Sequence, residues 1–242
     1  MTRLNNSFDE VFDKWKLKNL KAVSQNQNLQ NISQRWINEA SSAKLNYMYT
    51  WLGVPVIQFP ADLILIQEII FNVKPTKIIE VGIGRGGLSV FLASILCSTG
   101  KNKNSKVICV EKQISAHTRK AIRKSQYNKK ITLIQGDSVS PKTISKVKKS
   151  LQKSDKTMII LDSNHTEDHV YKELEIYSDL VSLNCHIIVM DTVIQYMNPE
   201  HFISTNWGVG NNPKTALDRF MNENAKNFEF DTLFNNKALT TS

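Results

Sequence analysis

Short apolar runs alternate with amphipathic segments through most of the chain after residue 75. Five of these runs are rich in β-branched residues and have the length of buried parallel strands: residues 77–81, 106–110, 131–135, 157–161 and 186–190. The segments between them carry apolar side chains at helical spacing. Because strands that alternate with helices form parallel sheets, this pattern predicts an α/β fold.

The predicted helices lie before, between and after these strands. Their apolar spacing and their flanking prolines and cap residues place them at residues 62–71, 86–99, 116–126, 141–151, 167–181 and 214–224. Residues 193–212 are irregular, and a segment of that length inside a compact domain is usually functional. Near the end of the chain, residues 228–234 and 237–241 flank Asn235-Asn236 and predict an antiparallel hairpin.

The first part of the chain has a different character. Residues 1–55 are helical in pattern but irregular, and Trp15, Trp36 and Trp51 are their expected anchors. We therefore expect an N-terminal helical extension over residues 1–55, followed by a single α/β domain over residues 56–242.

A glycine-rich turn follows the first predicted strand and contains Gly82, Gly84, Gly86 and Gly87. Two cofactors are compatible with it. The spacing G-x-G-x-x-G is the dinucleotide fingerprint, whereas E-x-G-x-G-x-G, which begins at Glu80, resembles the first motif of S-adenosylmethionine (SAM) methyltransferases. A carboxylate attracts the ammonium group of SAM and gives a pyrophosphate no advantage, so Glu80 favours SAM. A tight turn without a ligand is the third alternative.

Polar residues also end the second and third predicted strands. Glu111 follows the second strand, where a carboxylate can accept hydrogen bonds from the ribose hydroxyls of an adenosine ligand. Its separation from Gly82 exceeds the about 20 residues of a dinucleotide site, which again favours SAM. Asp137 and Ser138 follow the third strand, where polar groups meet the adenine amine in SAM enzymes. The sequence Gly-Asp-Ser is equally compatible with a plain turn.

Two further acids, Asp162 and Asp191, follow the fourth and fifth strands and are expected at the same edge of the sheet. Such carboxylates suit Mg²⁺ or a similar ion. In the loop after Asp162, His165 is a candidate general base, and the helix that follows should favour its neutral form. The alternatives are a turn cap at Asp162, a structural pair of His165 and His169, and zinc chelation by that pair.

Together these segments resemble the cephalosporin hydroxylase / rhamnosyl O-methyltransferase family of class I SAM-dependent methyltransferases. The resemblance covers residues 49–241 and rests on WLGVPVIQFPADLILIQEII, IIEVGIGRGGLS, ITLIQGDSV, LDSNHTEDHVYKELEIYSDLV, IIVMDT and WGVGNNPKTAL. It implies a Rossmann-like fold whose mostly parallel sheet is closed by the C-terminal antiparallel hairpin. It also implies SAM on the glycine turn, a divalent metal held by Asp162 and residues 190 and 191, and a histidine base at His165.

Three features depart from the family pattern, and in the first of them Glu111 is followed by Lys112 and Gln113 instead of a second acid. Met190 stands where the first acid of the pair after the fifth strand is expected, and a thioether is a poor ligand for Mg²⁺. Asp162 and Asp191 are therefore the expected metal ligands. Leu88 stands where the family often has serine, and Ser89, one place later, is an expected cofactor contact.

The expected activity is metal-assisted transfer of a methyl group from SAM to a hydroxyl of a sugar, glycan or secondary-metabolite precursor. Two alternatives stay open. One is a hydroxylase, because His165-Thr166-Glu167 forms the H-x-E of facial-triad iron sites. The other is a SAM-binding protein without catalysis, which would account for Met190.

Composition bears on partners and location. The net charge is +9, but the lysines do not interleave with aromatic residues, which favours solvated helix faces over nucleic-acid or membrane binding. No apolar run approaches the about 20 residues of a membrane helix, and the N-terminus lacks the apolar core of a signal peptide. Three cysteines lie in apolar segments. We expect a cytoplasmic protein with a small-molecule or glycan substrate and no nucleic-acid partner, and homo-oligomerisation stays open.

Overall fold

A parallel β-sheet forms the centre of the computed structural model, which describes residues 9–99 and 104–242. The strands in these residues are β1 (Thr50–Trp51), β2 (Val54–Pro55), β3 (Lys77–Val81), β4 (Lys106–Glu111), β5 (Ile131–Gln135), β6 (Thr157–Leu161) and β7 (Ile187–Val189). The last five form one parallel sheet in the order β5-β4-β3-β6-β7, and β1 and β2 pair separately as an antiparallel hairpin. The predicted α/β class and its five parallel strands are confirmed.

Helices pack on both faces of the sheet, and two further helices form most of the described N-terminal part of the chain. Within the same residues they are α1 (Glu10–Gln25), α2 (Gln27–Ser42), α3 (Pro60–Val73), α4 (Gly87–Thr99), α5 (Ala116–Lys124), α6 (Pro141–Lys149), α7 (Glu167–Ser178), α8 (Pro213–Asn224) and α9 (Thr232–Asn235). Polar side chains begin several of them: Ser115, Ser140 and Asn212 each accept a backbone N–H of the first turn. Among the helices of this part of the chain, none has the length and apolar character needed to cross a bilayer.

Two apolar layers bury the sheet from both sides. Ile78 of β3 lies in the layer formed with α3 and α4, whereas its neighbour Ile79 lies in the layer formed with α7 and α8. Both side chains are 0% exposed. A strand buried on both faces reads as a continuous apolar run, which explains why the sequence pattern located β3 correctly.

The parallel register brings the carboxyl ends of the strands together. Val81 at the end of β3 pairs with Val110 and with Leu161, and Leu161 pairs with Val189. The loops that follow these strands therefore begin at one edge of the sheet, where open α/β folds bind their ligands.

The predicted C-terminal hairpin over residues 228–234 and 237–241 is wrong. No strand follows β7 in the described part of the chain, and α9 occupies its place. Asp231 begins this helix, because its Oδ1 accepts the backbone N–H groups of Leu233 (3.1 Å) and Phe234 (3.4 Å). Phe234 is 5% exposed and packs in the α3 and α4 layer. Helix capping and burial of this ring therefore prevail over the apolar alternation that predicted a strand.

In its described part, residues 9–55, the N-terminal extension is helical as expected except for the β1–β2 hairpin at its end, and α2 packs against the segment after β7. The Gln34 side chain donates a hydrogen bond to the Tyr196 carbonyl (2.7 Å), and Asn38 Oδ1 accepts the backbone N–H of Asn198 (2.7 Å). By contrast, α1 has no buried residue. The extension therefore reaches the irregular segment that the sequence marked as functional.

Candidate active site

The glycine turn lies between β3 and α4, directly against the loop after β6. Gly82 has a φ of +88°, and a Cβ there would lie 1.9 Å from the carbonyl oxygen of Asp162. Both the conformation and the close approach therefore require glycine. Gly84 is exposed, and the nearest atom to a Cβ at this position would be Cδ1 of Ile57, at 3.7 Å. The turn thus joins the predicted cofactor site to the predicted metal site and presents an open backbone at Gly84.

Gly86 and Gly87 bring α4 close to its neighbours. The Gly86 N–H donates to the Ile83 carbonyl (2.7 Å) and closes the turn. A Cβ at Gly87 would lie 2.2 Å from the Pro55 carbonyl oxygen. These two glycines therefore have packing roles in addition to any contact with a ligand.

Glu80 and Ser89 lie together beneath the turn, and both are 0% exposed. The Ser89 hydroxyl donates to Glu80 Oε2 (2.6 Å), and the Cys109 thiol donates to the same oxygen (3.1 Å). Glu80 Oε1 is buried without a hydrogen-bond partner in the described residues. Burial raises the pKa of Glu80 to about 7, although the bonds from Ser89 and Cys109 lower it. A buried acid with one unpaired oxygen is a suitable acceptor for a cationic group of a ligand.

Glu111 reaches the glycine turn from the end of β4. Its Oε2 accepts the backbone N–H of Ile83 at 3.1 Å, and its Oε1 accepts that of Gln113 at 3.3 Å. The carboxylate therefore lies beside the turn, as an adenosine-binding acid must.

Asp137 and Ser138 follow β5 and lie towards α7. Asp137 Oδ1 accepts the Val139 N–H (3.1 Å), which is turn chemistry. The Ser138 hydroxyl is 3.0 Å from His169 Nε2, and its backbone carbonyl accepts the Tyr177 hydroxyl (3.0 Å). Asp137 and Ser138 therefore form a turn, as one of the two alternatives expected. Their position at the edge of the sheet is also compatible with a contact to the cofactor.

Asp162, His165 and Asp191 meet beyond the ends of β6 and β7. One ligand atom from each lies within 4.8 Å of the others, and this is the group of potential metal ligands found in the described residues. His165 Nε2 is 2.8 Å from Asp191 Oδ2. The sequence therefore predicted correctly that these three side chains come together, although it did not predict that His165 pairs with one of the two acids.

With both acids ionised, the cluster would carry one more negative charge than its own residues compensate. Burial raises the pKa of Asp162 well above its ordinary value, and the charges of Asp191 and Glu80 raise it further. Burial acts in the same direction on Asp191, but the adjacent imidazole outweighs it and lowers the pKa of Asp191. His165 thus balances one carboxylate only. A divalent cation is the kind of group that would stabilise the second in its ionised form.

The expectation that His165 is kept neutral by its helix is wrong for the protein alone. Burial lowers the pKa of His165, but the charge and hydrogen bond of Asp191 raise it by more. A contact of 2.8 Å with a carboxylate is stronger than the field of a helix terminus, which contributes about 0.3–1 kcal/mol at surface sites.

Met190, the residue before Asp191, belongs to the apolar core. Its side chain is 4% exposed and packs in the α3 and α4 layer. Asp191 follows it with a φ of +58°, in the left-handed region that few non-glycine residues adopt. This conformation turns the chain sharply after β7 and accompanies the placement of the Asp191 carboxylate beside His165.

Two residues beside the cluster, Gln58 and Asp62, were missed by sequence reasoning, whereas Trp207 belongs to the irregular segment that was expected to be functional. Gln58 Nε2 donates to Asp162 Oδ2 at 2.8 Å. Asp62 is 4% exposed, and burial raises its pKa to about 7, with the charge of Asp191 among the further causes. The Trp207 ring meets the His165 ring edge-on, with centroids 5.2 Å apart. Gln58 and Asp62 could have been noticed as polar positions within the apolar segment that precedes and begins α3.

The contacts of Glu167 and His169 bear on the two alternative metal sites, an H-x-E iron site and a zinc site of two histidines. Glu167, the acid of the H-x-E motif, lies 4.0 Å from Arg219 and is absent from the ligand group found in the described residues. His169 contacts Ser138 and Glu173 instead of pairing with His165. These placements argue against an H-x-E iron site and against zinc chelation by the two histidines.

Residues 43–242 match the family described as Rhamnosyl O-methyltransferase/CmcI. The chain belongs to this family. Rhamnosyl O-methyltransferases of Mycobacterium bovis and Mycobacterium tuberculosis are 25% identical to it over 194 residues, which is 80% of this chain and 74% of theirs. The Mycobacterium leprae protein of the same name is 24% identical over 183 residues, or 75% of this chain and 74% of its own length.

Solved structures share the fold of this family member. A CmcI structure with Mg and SAM has a TM-score of 0.57 at 17% identity, over 81% of this chain and 73% of that one. The O-methyltransferase from Bacillus cereus in complex with SAH (S-adenosylhomocysteine) has a TM-score of 0.53 at 14% identity, over 80% and 79%. TomG from Streptomyces achromogenes, in complex with SAM, gives 0.52 at 13% identity, over 79% and 78%.

The expected family and the methyltransferase fold are therefore confirmed, and the protein is a SAM-dependent O-methyltransferase of the rhamnosyl O-methyltransferase/CmcI family. This result favours methyl transfer over the hydroxylase and the non-catalytic alternatives. The roles of individual residues, the acceptor and the use of a metal by this chain stay predictions.

Proposed function

We propose that the protein transfers the methyl group of SAM to a hydroxyl of a sugar, glycan or secondary-metabolite precursor, with the assistance of a divalent cation. The contact between the glycine turn and the acidic cluster carries the proposal. Gly82 lies against the backbone of Asp162, and Asp162 lies with His165 and Asp191. A methyl donor over the turn and an acceptor oxygen at the cluster would be neighbours. The mycobacterial relatives, named as rhamnosyl O-methyltransferases, support a sugar acceptor.

The cofactor would occupy the edge of the sheet above the glycine turn. Its methionine end would lie over Gly82, Gly84, Gly86 and Gly87, with the buried carboxylate of Glu80 nearby and Ser89 holding that carboxylate in place. The unpaired Oε1 of Glu80 fits this role. Glu111 would accept the ribose hydroxyls, and Asp137 and Ser138 would flank the adenine.

The donor set at the acidic cluster fits a divalent cation such as Mg²⁺. Asp162 and Asp191 would hold the ion through hard carboxylate oxygens. When bound, the ion supplies a Lewis acid that orients the acceptor oxygens and lowers the pKa of the reacting hydroxyl. A CmcI structure with Mg and SAM supports this choice of ion.

His165 would accept the proton of the acceptor hydroxyl. Asp191 faces its Nε2, so the ring is oriented by a carboxylate and Nδ1 is the atom available as an acceptor in the neutral form. If Asp191 also held a cation, its negative charge would be offset and would favour the imidazolium form of His165 less. The neutral, proton-accepting form of His165 is therefore the form expected in the loaded enzyme.

Residues 193–212 would cover the acceptor. Trp207 already lies against His165, and Tyr196 is 56% exposed. Aromatic side chains present the flat apolar surfaces on which sugar rings can stack, with polar edges that can hydrogen-bond to hydroxyls. This segment follows Asp191 directly, so the proposed acceptor cover begins next to the proposed metal site.

Location and domain division belong to the same proposal. We infer a cytoplasmic protein, because Cys97, Cys109 and Cys185 are free thiols, as in a reducing compartment. We also infer that residues 1–55 are an extension of the methyltransferase domain, residues 56–242. The start of the family match at residue 43, directly after α2 ends at Ser42, supports an extension although it lies before residue 55.

The proposal is tested by separate calorimetric titrations with SAM and MgCl₂, followed by a transfer assay. The assay offers SAM with methyl glycosides, including methyl α-L-rhamnoside, and with catechol as a non-sugar acceptor, and mass spectrometry detects the products. We expect binding of both SAM and Mg²⁺ and a gain of one methyl group on a glycoside. Binding of SAM alone would contradict metal assistance, and methylation of catechol alone would contradict a sugar acceptor.

A further inference from the structure

Gln58 is a buried amide that contacts a proposed metal ligand from outside the cluster. Its side chain is 4% exposed, and its Nε2 donates to Asp162 Oδ2 at 2.8 Å. It lies in the segment between the short β1–β2 hairpin and α3, far in sequence from the strand ends that supply the acids. The residue therefore brings a different part of the chain to the edge of the sheet.

The orientation of the Gln58 amide is set by its contacts. The nitrogen end faces Asp162, because a carboxylate oxygen can only accept, and the Ser242 hydroxyl donates to Gln58 Oε1 at 3.2 Å. The next residue, Phe59, is 2% exposed, and its backbone N–H donates to Asp62 Oδ2 at 3.0 Å. These contacts hold the backbone at the start of α3 and with it the position from which the Gln58 side chain extends.

A neutral donor is well suited to a carboxylate that must also bind a cation. The amide satisfies one oxygen of Asp162 and leaves the other for the cluster. A lysine or arginine at the same place would hold the acid in position but would bring a positive charge that repels a metal ion. The amide orients the ligand without that repulsion.

We infer that Gln58 is a positioning residue for the metal site, which sets the rotamer of Asp162. The inference rests on the proposed function only in that Asp162 binds a cation. Partners in the outer shell of a metal site typically change metal affinity by about 10- to 100-fold when they are removed. Gln58 is 4% exposed and acts through Asp162. Its replacement should therefore lower the affinity for the metal and leave the affinity for SAM unchanged.

The test compares calorimetric Mn²⁺ and Mg²⁺ titrations of the full chain and three variants. Gln58→Leu and Gln58→Met keep the approximate volume and remove the donor, and Gln135→Leu is the matched control. Gln135 is exposed at the end of β5 and contacts Arg119 instead of the cluster. SAM titrations and thermal unfolding curves of all variants report on folding.

The expected result is metal binding weakened by about 10- to 100-fold in both Gln58 variants, with SAM affinity unchanged and with Gln135→Leu equal to the wild type. A fourth variant, Gln58→Lys, should weaken metal binding at least as much as the other two Gln58 substitutions, although lysine restores a donor. If the wild type binds metal and a folded Gln58→Leu or Gln58→Met variant binds it equally well, the inference is overturned while the proposed function stands. If the wild type binds neither ion, the metal part of the proposed function falls, and the inference falls with it.

Discussion

At the scale of single residues, the site is an imidazole beside two partly buried carboxylates, and it can neutralise only one of them. His165 lies 2.8 Å from Asp191, and the pKa of Asp162, raised first by burial, shows where charge compensation is missing. His165 and His169 therefore have different contacts. His165 belongs to the cluster, whereas His169 bonds to Glu173 (3.2 Å) on its own helix.

We therefore expect His165→Ala to lower kcat by about 10²- to 10⁴-fold, the usual contribution of a general base, with SAM affinity unchanged. His169→Ala is the matched control and should lower kcat far less. Both are measured by SAH formation under saturating SAM. Loss of turnover in the His169 variant alone would show that the proton acceptor has been misassigned.

The second prediction concerns Glu111, whose carboxylate lies beside the glycine turn. Glu111→Ala should weaken SAM binding by about 1–3 kcal/mol, because the ribose hydroxyls lose their acceptor. Calorimetric titration with SAM and with NAD⁺ measures this effect and checks cofactor identity together. Tight binding of NAD⁺ by the wild type, without a response to SAM, would refute the choice of cofactor.

The acids of this site were predictable, and their partners were not. Glu80, Asp162 and Asp191 each stand at or just after the end of an apolar run, and the parallel sheet alone brings such positions to one edge. Gln58 reaches Asp162 through the packing of α3 on the sheet, which no local pattern encodes. The charge state of His165 was also out of reach, since it depends on a contact with Asp191 that forms only in the folded chain.

At the scale of elements, a row of polar side chains on α2 contacts residues 196–201, which belong to the segment proposed to cover the acceptor. Gln34, Asn38 and Ser42 follow one another at intervals of one helical turn and face residues 196–201. The side chains at Asn31, Arg35 and Glu39 have the same spacing on the exposed side of the helix. Replacement of the exposed row is therefore a matched control for replacement of the row that faces residues 196–201.

Replacing the facing row, Gln34→Ala with Asn38→Ala and Ser42→Ala, should accelerate hydrogen exchange of residues 192–205 by about tenfold or more, since each lost hydrogen bond contributes about 1 kcal/mol. The control replaces Asn31, Arg35 and Glu39 by alanine. It should leave exchange of that segment unchanged. Equal acceleration by both triple variants would mean that α2 acts only through its general stability.

A second element-scale contact joins the loops before β3 and β6. Asp155 accepts hydrogen bonds from the Gln152 N–H (2.8 Å) and the Thr76 hydroxyl (3.0 Å), and it lies 3.2 Å from Lys77 Nζ. Burial raises the pKa of Asp155, but these partners outweigh it and lower the pKa below its ordinary value. The contact therefore stabilises the fold above the ordinary pKa and ceases to do so as the pH falls through the lowered one.

Asp155→Asn should accordingly reduce the free energy of unfolding by about 1–3 kcal/mol at neutral pH. The difference from wild type should shrink as the pH falls below about 4. Urea unfolding at several pH values measures it, with the exposed Asp179→Asn as the control. A difference that does not depend on pH would show that the charge of Asp155 contributes nothing.

At the scale of the whole molecule, the sheet was predictable and its surroundings were less so. Continuous β-branched runs such as Ile78 and Ile79 can only be buried on both faces, which fixed β3 to β7 to within a few residues. Residues 228–241 show the limit. Their alternation was compatible with a strand, and the outcome was decided by the Asp231 cap and by space for Phe234 in the core. Tertiary packing of that kind leaves no periodic signal.

The central claim is that methyl transfer takes place where the glycine turn meets the acidic cluster, and Asp162 is the residue they share. The most direct measurement is SAH formation by the wild type and by Asp162→Asn, each with Mg²⁺ and with a chelator, alongside SAM titrations of both proteins. We predict that the chelator and the substitution each abolish most of the turnover, that they do not add to one another, and that SAM binding is retained. Full turnover by Asp162→Asn in the presence of the chelator would contradict the account.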